Sequence, residues 1–197
     1  MRVIFAAIVG CTLSALACGG SPSGPSGPGG RFSLMLKDTP FADAKSVLVT
    51  FSEVTVHGET ESNSTQLQFA ASAASRTCDL KKLVTAQDIL GIGTLPAGHY
   101  TQVRLVVSSA TLYFDTAAAG DACAASITAP AGASAPLEIP SGEVKLNRPF
   151  DVAAGGATTM LIDFDGDKSI SIHPTGNGRF IMRPVITVVS VQEGGTT

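Results

Sequence analysis

Apolar and polar residues alternate with a period of two along most of this chain, as they do in strands that bury one face. Apolar residues occupy every second position from Val47 to Phe51, and the apolar phase then jumps to Val54 and Val56. One extra residue within a strand reverses its two faces, so such a jump indicates a β-bulge. The pattern predicts a single long strand here, with a bulge near Ser52.

A second strand shows the same break. Its apolar residues keep one phase from Val103 to Val107 and the other phase from Ala110 to Phe114, with Ser108 and Ser109 between them. Further strands are predicted over residues 32–36, 66–69, 137–139, 150–152, 158–164 and 180–191. The last of these is apolar on both faces, which favours a place inside the fold, and Pro184 within it indicates a bend or an edge.

Turn signals separate these strands at short intervals, at Ala97-Gly98, Gly155-Gly156 and Gly176-Asn177-Gly178. This spacing is typical of an all-β fold and predicts an antiparallel β-sandwich of the immunoglobulin-like or transthyretin-like kind. One short helix is predicted over Leu80–Leu90, because its leucines share one face, Asp79 can cap its start and Gly91 can end it.

The N-terminal segment has a different pattern, an apolar run from Val3 to Leu16 that ends at Ala17-Cys18. It is too short to span a bilayer, which takes about 20 apolar residues, and it is interpreted as a signal peptide over residues 1–17. The cleavage site fits plain secretion or a bacterial lipobox. Lipidation of Cys18 is favoured, because a secreted protein would otherwise carry an unpaired N-terminal thiol, and Cys11 is a competing site.

Residues 18–30 then form a lipidated cysteine followed by a Gly/Ser/Pro linker with an r.m.s. reach of about 20 Å. One β-sandwich domain is predicted over residues 31–192 and a disordered tail over 193–197. A lipid anchor places the protein in the cell envelope with a membrane as its first partner. Gly19 does not resemble an inner-membrane retention signal, so the outer membrane is favoured if the source has two membranes.

Cys78 and Cys123 remain once the N-terminal cysteines are assigned. In an oxidising compartment they can form one disulfide that closes a loop of about 45 residues. A metal or redox role is the alternative, but neither cysteine has C-x-x-C spacing or a nearby histidine.

Charge and motifs exclude several functions. The net charge is −3 and no cluster of Lys or Arg exceeds Lys81-Lys82, so nucleic acid is not an expected partner. The chain has no G-x-S-x-G elbow, no P-loop and no pair of histidines at metal-ligand spacing, so we do not expect an enzyme. Arg148 and Arg183 each precede a proline in a strand context, and we expect them to pair with Asp163 or Asp165 across the sheet.

The densest group of carboxylates is Asp163, Asp165 and Asp167, of which the first two share one face of a strand. A solvent-facing acidic strand end is the favoured interpretation, and a calcium site is the alternative. The series resembles the opening of an EF-hand loop, but Pro174 stands where the closing Glu would be, so no EF-hand is predicted and no other cofactor is expected. Asp38 and Asp43 flank a predicted turn, where carboxylates ordinarily accept hydrogen bonds from nearby amides.

Three blocks of sequence, taken together, resemble the bacterial and archaeal family known as domain of unknown function 4382. They are Lys37–Val47 with Ser52–His57, Gly93–Leu105, and Val144–Phe150 continued by Leu161–Asp165 and Gly178–Ile186. The resemblance implies a β-rich extracytoplasmic domain, often on lipoproteins. It implies no established activity, so no catalytic residue is carried over, and the segments around Cys78 and Cys123 depart from the family pattern.

Two non-catalytic functions remain. The first is a structural or interaction domain with a protein partner, and the second is a carbohydrate-binding module of the cell envelope. The segment Leu95–Tyr100 is similar to turns of transthyretin-like sugar-binding domains. Sugar modules commonly stack rings on exposed aromatic side chains, and this chain has no Trp and two Tyr, which favours the first function.

Overall fold

The computed structural model of the protein describes residues 28–39, 43–60, 63–85, 87–171 and 180–194. These residues form thirteen strands, two short 3₁₀-helices and one single-turn α-helix. In chain order the strands are β1 (Gly30–Thr39), β2 (Ser46–Gly58), β3 (Ser64–Gln66), β4 (Arg76–Asp79), β5 (Asp88–Leu95), β6 (Gly98–Tyr113), β7 (Cys123–Ala124), β8 (Ser134–Glu138), β9 (Glu143–Val152), β10 (Ala157–Asp165), β11 (Ile170–Ser171), β12 (Phe180–Met182) and β13 (Ile186–Gly194). The α-helix, α1, is Gly166–Ser169, and the 3₁₀-helices are Ala70–Ser72 and Leu80–Lys82.

The strands form two sheets with one hydrophobic core. The small sheet has the order β13-β10-β1-β5. The large sheet has the order β11-β12-β8-β6-β2-β4-β7, with β3 also paired to β2 and β9 to β6. This confirms the predicted all-β, sandwich-like class.

Most strand pairs are antiparallel, as predicted, but both sheets are mixed, because each contains one parallel pair that the sequence did not indicate. β1 pairs with β10 in parallel, and β12 pairs with β8 in parallel. Strand direction within a sheet depends on which strands become neighbours, and strands far apart in the chain can pair either way. The alternation of apolar residues is the same for both directions on a half-buried face, so the sequence pattern could not separate them.

The predicted bulges lie in the central strand pair of the large sheet. In the β2–β6 register Thr50 is opposite Ser109 and Phe51 is opposite Val107, which leaves Ser108 as the extra residue on β6. Glu53 is then opposite Val106, which leaves Ser52 as the extra residue on β2. The buried side chains change phase at the same two points, so both sequence breaks are confirmed.

The predicted helix over Leu80–Leu90 is wrong beyond its first turn. Asp79 does cap its start, by accepting a hydrogen bond from the Lys81 N–H at 3.2 Å, but the helix is a 3₁₀ turn that ends at Lys82. The residues from Asp88 onward form β5, which pairs with β1. Pairing with a neighbouring strand satisfies the backbone of this segment, and it overrides a helical spacing that only four apolar residues supported.

The predicted C-terminal strand is divided at Pro184, as its proline indicated. It forms β12 in the large sheet and β13 in the small sheet. β13 lies at the edge of its sheet and not inside the sandwich, and only its inward residues Ile186, Val188 and Val191 pack on the core. It runs through Gly194, two residues into the segment predicted as a tail.

Several predictions concern residues outside the described ranges: the signal peptide, the modification of Cys18, the linker before Pro28, and the turn at residues 176–178. Among the described residues, no helix has the length and apolar character needed to cross a membrane.

An aromatic stack holds the two sheets together at the end where β1 begins. Phe150 of the large sheet stacks on Phe32 of the small sheet with ring centroids 5.0 Å apart, and on Tyr100 at 5.5 Å. The Tyr100 hydroxyl donates to the Pro96 carbonyl oxygen at 2.7 Å, so the predicted turn between β5 and β6 is tied to the core beneath it. A buried tyrosine is stable in this position because its polar end has a partner.

An ion pair also connects the sheets. Arg76 on β4 is only 8% exposed, and its Nη2 donates to Asp88 Oδ1 at the start of β5, at 2.7 Å. The Arg76 Nε is buried without a hydrogen bond. The guanidinium therefore depends on a single carboxylate for its charge compensation.

We expect Asp88→Ala to lower the free energy of unfolding by about 2 to 3 kcal/mol, because it leaves the buried Arg76 charge without a counter-ion. Urea denaturation measures the loss. The control is Glu143→Ala, which removes a half-exposed carboxylate from its contacts with Arg104 and Lys145 and should change stability by no more than about 0.5 kcal/mol. Equal losses in the two variants would contradict the role given to Asp88.

Candidate functional site

The carboxyl ends of β1 and β10 bring charged side chains together at one end of the small sheet. Because the two strands are parallel and in register, Lys37 lies opposite Asp163 and Thr39 lies opposite Asp165. All four are on the outer face, since they alternate with buried residues such as Leu36 and Phe164. This confirms that Asp163 and Asp165 share one face of a strand.

Each of these two carboxylates has partners within the protein. Asp163 Oδ2 is 2.9 Å from Lys37 Nζ, and the Thr39 hydroxyl donates to the same carboxylate at 3.4 Å. Asp165 caps α1 by accepting from the Lys168 N–H at 3.0 Å, and it pairs with Lys168 Nζ at 2.6 Å. The hydrogen bonds from Lys168 hold the pKa of Asp165 below its ordinary value.

The calcium interpretation gains no support from this geometry. Asp167 lies exposed in the first turn of α1, while Asp163 and Asp165 are paired with lysines. Over the described ranges, no three His, Cys, Asp or Glu side chains are grouped so that they could hold a metal ion. The arrangement is that of an acidic strand end neutralised by lysines.

Asp38 is the carboxyl group at this end that the sequence interpretation misplaced. It is on the inward face of β1 and only 5% exposed. Its Oδ1 accepts from the Gly166 N–H at 3.1 Å, so its partner is 128 residues away and not in the neighbouring turn. A Cβ on Gly166 would lie 3.1 Å from the Thr39 carbonyl oxygen and 3.2 Å from Asp38 Oδ1, so the close approach favours glycine.

The environment of Asp38 favours its protonated form. The pKa of the Asp38 carboxyl is raised from 3.8 to about 8, chiefly by burial. The hydrogen bond from the Gly166 N–H lowers it, the nearby charges of Asp163 and Asp165 raise it, and Lys81 lowers it. Asp38 Oδ2 is buried and has no hydrogen-bond partner. At neutral pH the group is therefore mostly an uncharged acid at the boundary between β1 and α1.

The cysteines are paired as predicted. Cys78 on β4 and Cys123 on β7 lie opposite each other in an antiparallel pair, and their sulfur atoms are 2.06 Å apart. Both residues are buried. The disulfide joins residues 45 apart in the chain and connects the Ala/Gly/Ser-rich segment after β6 to the edge of the large sheet.

A buried carboxylate organises the same region. Asp79 is fully buried, and its Oδ2 accepts from the Ser46 hydroxyl at 2.6 Å while its Oδ1 accepts from the Val47 N–H at 3.0 Å. The Ser46 oxygen in turn accepts from the Ala118 N–H at 2.8 Å, and the Asp79 N–H donates to the Ala122 carbonyl at 2.7 Å. The segment that leads to Cys123 is thus held by hydrogen bonds as well as by the disulfide.

The two described histidines have local partners. His57 Nε2 is 2.9 Å from the Thr55 hydroxyl. His99 Nδ1 is 2.8 Å from Asp151 Oδ1 on the surface, where the Glu193 carboxylate also accepts from the Asp151 N–H at 3.0 Å. His173 lies outside the described residues.

The expected roles of Arg148 and Arg183 are wrong. Both side chains are exposed, and the carboxylates proposed as their partners are paired with Lys37 and Lys168. Arg148 lies on β9 between the exposed residues Asn147 and Pro149, and Arg183 follows the end of β12, so neither side chain is on a buried face.

One group of side chains on the outer face of the small sheet was not predicted from the sequence. Arg31 and Ser33 of β1, Ile92 and Thr94 of β5, and the segment from Gln66 to Gln68 line an open cleft of about 600 Å³. We call it the Arg31 cleft. The alternation of β1 and β5 would have predicted that Arg31, Ser33 and Thr94 face outward. Nothing in the sequence showed that residues 66–68 would lie beside them.

The fold and these polar groups define a disulfide-bonded β-sandwich domain with an acidic, lysine-paired strand end. A comparison with family models matches residues 29–184 to the family described as Domain of unknown function (DUF4382), and the chain belongs to that family. The match begins just before β1 and ends at the bend before β13, so it covers most of the described fold. This confirms the family that the three sequence blocks indicated.

No protein of known function matches the chain in the search of curated sequences. No solved structure matches it either.

We expect the double variant Cys78→Ala/Cys123→Ala to lose about 4 kcal/mol of stability, because the unfolded chain regains the freedom of a 45-residue loop. Urea denaturation of the oxidised wild type, the reduced wild type and the variant measures it. Reduction of the wild type should cost a similar amount. A loss below about 1 kcal/mol would show that the hydrogen bonds around Asp79 hold this region without the disulfide.

Asp38 should make stability fall as the pH rises. Its folded-state pKa lies above the unfolded value of 3.8, so its contribution is fully present below pH 4 and is lost up to about pH 8. We expect Asp38→Asn to remove this part of the pH dependence. The free energy of unfolding of the variant should therefore rise relative to that of the wild type from pH 5 to pH 8.5. Asp121→Asn, at an exposed position, is the matched control and should leave the dependence of stability on pH as in the wild type. Parallel stability profiles for Asp38→Asn and the wild type would contradict the prediction.

Proposed function

We propose that the protein is a lipoprotein of the cell envelope, anchored through Cys18, whose β-sandwich domain has a binding or structural role and no catalytic one. The observation that carries the proposal is the buried disulfide between Cys78 and Cys123. Disulfides persist in oxidising compartments outside the cytoplasm, and the apolar run before Cys18 is a means of export. Export and the disulfide support each other.

The linker between Cys18 and β1 supports display of the domain at a membrane surface. Residues 19–30 consist of Gly, Ser and Pro alone, a composition typical of linkers between an anchor and a folded domain. Three acyl chains on the cysteine hold a protein durably, since one chain gives only marginal binding and each buried methylene adds about 0.8 kcal/mol. In a source with two membranes, we propose the outer membrane as the location.

The non-catalytic role is supported by the way the polar clusters are used. The Asp163, Asp165 and Asp79 carboxylates each stabilise the fold through lysines, hydroxyls or backbone amides. Those contacts give each of these carboxylates a structural role, so none of them requires a catalytic role to account for its position. We propose a partner outside the domain, of protein or glycan chemistry, as the target of the displayed surface.

Carbohydrate binding is the more specific candidate, and the Arg31 cleft is the observation that favours it. In the parts of the chain that the structure describes, no aromatic side chain is exposed, so a sugar would have no ring to stack on. The cleft offers instead an exposed aliphatic side chain surrounded by amide and hydroxyl groups. The amide and hydroxyl groups can form hydrogen bonds with sugar hydroxyls.

Lipidation is tested by the intact mass of the protein after expression in a bacterium that processes lipoproteins. We expect a chain that starts at Cys18 and carries a diacylglyceryl group and a further acyl chain. Cys18→Ser should lose the added mass and leave the detergent phase, whereas Cys11→Ser should change neither. A wild-type mass without acyl groups would overturn the anchor and leave plain secretion.

A further inference from the structure

The Arg31 cleft is a concave surface of the described residues whose polar side chains are open to a ligand. Arg31, Gln66, Gln68 and Thr94 are all exposed. Within the described ranges none of their side chains makes a hydrogen bond or an ion pair, whereas Lys37, Lys168 and Arg76 are each paired with a carboxylate. The cleft therefore presents a guanidinium, two amides and a hydroxyl to a ligand.

The charge of the cleft indicates an anionic ligand. Arg31 is the single charged residue among those that line it, and none of the described carboxylates does so. A guanidinium presents paired N–H donors that match the two oxygens of a carboxylate. One arginine suits one carboxylate at a time, which differs from the clustered cations that a phosphate backbone requires.

The remaining groups indicate a ligand rich in hydroxyls. The Gln66 and Gln68 amides each offer two N–H donors and one acceptor oxygen, and the Ser33 and Thr94 hydroxyls can donate and accept. Ile92 is 42% exposed and gives the cleft an apolar surface against which the C–H face of a sugar ring can pack. A chain of sugars with carboxylate groups has all three features.

The backbone at this edge favours a glycan over an acidic peptide. A peptide that adds to a sheet edge needs the free N–H and C=O groups of the edge strand. At Ile92 both groups are already used, because the Gln68 N–H donates to the Ile92 carbonyl at 2.8 Å and the Ile92 N–H donates to the Gln68 carbonyl at 2.9 Å. A peptide strand therefore cannot pair with the backbone of Ile92, which favours a ligand bound through side chains, such as a sugar.

We propose that the Arg31 cleft binds an acidic glycan, with Arg31 on a uronic carboxylate, Gln66 and Gln68 on neighbouring hydroxyls, and Ile92 against a sugar ring. This inference rests on the proposed binding role of the displayed domain, and it names the ligand class for that role. It does not depend on lipidation of Cys18, which the mass measurement tests separately.

The test is isothermal titration of the unacylated full-length mature chain, carrying Cys18→Ser. The probes are an oligogalacturonate, the same oligomer fully methyl-esterified, monomeric galacturonic acid, and a short peptide rich in Asp and Glu. We expect the acidic oligomer to bind at least about tenfold more tightly than each of the other three, because only it combines the charge with a row of hydroxyls.

Variants locate the site. Arg31→Gln should weaken binding of the acidic oligomer by about tenfold or more and leave the esterified oligomer unchanged. Gln66→Ala should weaken both oligomers, because hydroxyl contacts do not depend on the carboxylate. Arg148→Gln is the matched control, since Arg148 is also an exposed arginine on a strand of the sandwich, and it should bind as the parent does. Equal melting temperatures confirm that the variants are folded.

Three results would overturn the proposal. The first is no binding of the acidic oligomer, and the second is an equal loss in Arg31→Gln and Arg148→Gln, which would indicate nonspecific charge attraction. The third is binding of the acidic peptide or the monomer as tight as that of the oligomer, which would assign the cleft to carboxylates in general. If the mature chain is unacylated in cells but binds the oligomer through Arg31, only the anchor fails.

Discussion

The pairing of β2 with β6 is the constraint on which the rest of the structure depends. The two strands pair from Ser46 opposite Tyr113 to Gly58 opposite Tyr100, with register shifts along the way, and the other strands of the large sheet attach to them directly or through intervening strands. Each strand has a single-residue bulge, at Ser52 on β2 and at Ser108 on β6, where the alternation of buried positions shifts by one residue. The strands remain paired on both sides of the bulges. Bulges increase the local twist of a strand. Because the apolar phase shifts at the same residues, the alternating apolar side chains before and after each bulge all face the small sheet.

The buried ionisable groups lie where strands from different sheets or distant segments meet. Asp79 connects the edge of the large sheet to the segment before Cys123, and Arg76 connects β4 to β5 of the other sheet. Asp38 is bonded to Gly166 across the end of the small sheet and is favoured in its uncharged form. Buried polar groups cost stability unless they are paired, so each of them favours one arrangement of the strands over alternatives that would leave it unsatisfied.

These internal pairs distinguish the polar side chains that stabilise the fold from those that are available to a ligand. The Asp163 and Asp165 carboxylates at the end of β10 are paired with Lys37 and Lys168, and the disulfide and the Asp79 hydrogen bonds hold the long segment after β6. Among the described residues, the side chains of Arg31, Gln66, Gln68 and Thr94 remain open to a ligand on the outer face of the small sheet, near the end where β1 begins.

The sequence by itself determined the all-β class, the two bulges, the break at Pro184, the family and the pairing of Cys78 with Cys123. The family was indicated by three blocks of sequence, and each of the other features depends on local alternation, on a proline or on a count of available thiols, which are the same whichever strands become neighbours. The tertiary structure alone decided the parallel pairing of β1 with β10, the edge position of β13, the loss of the predicted helix after Lys82 and the partners of Asp38, Asp163 and Asp165. It also brought Gln66 and Gln68 beside Arg31. Those outcomes depend on strand order, which is set by contacts between residues distant in the chain. The alternation of apolar and polar residues does not specify those contacts.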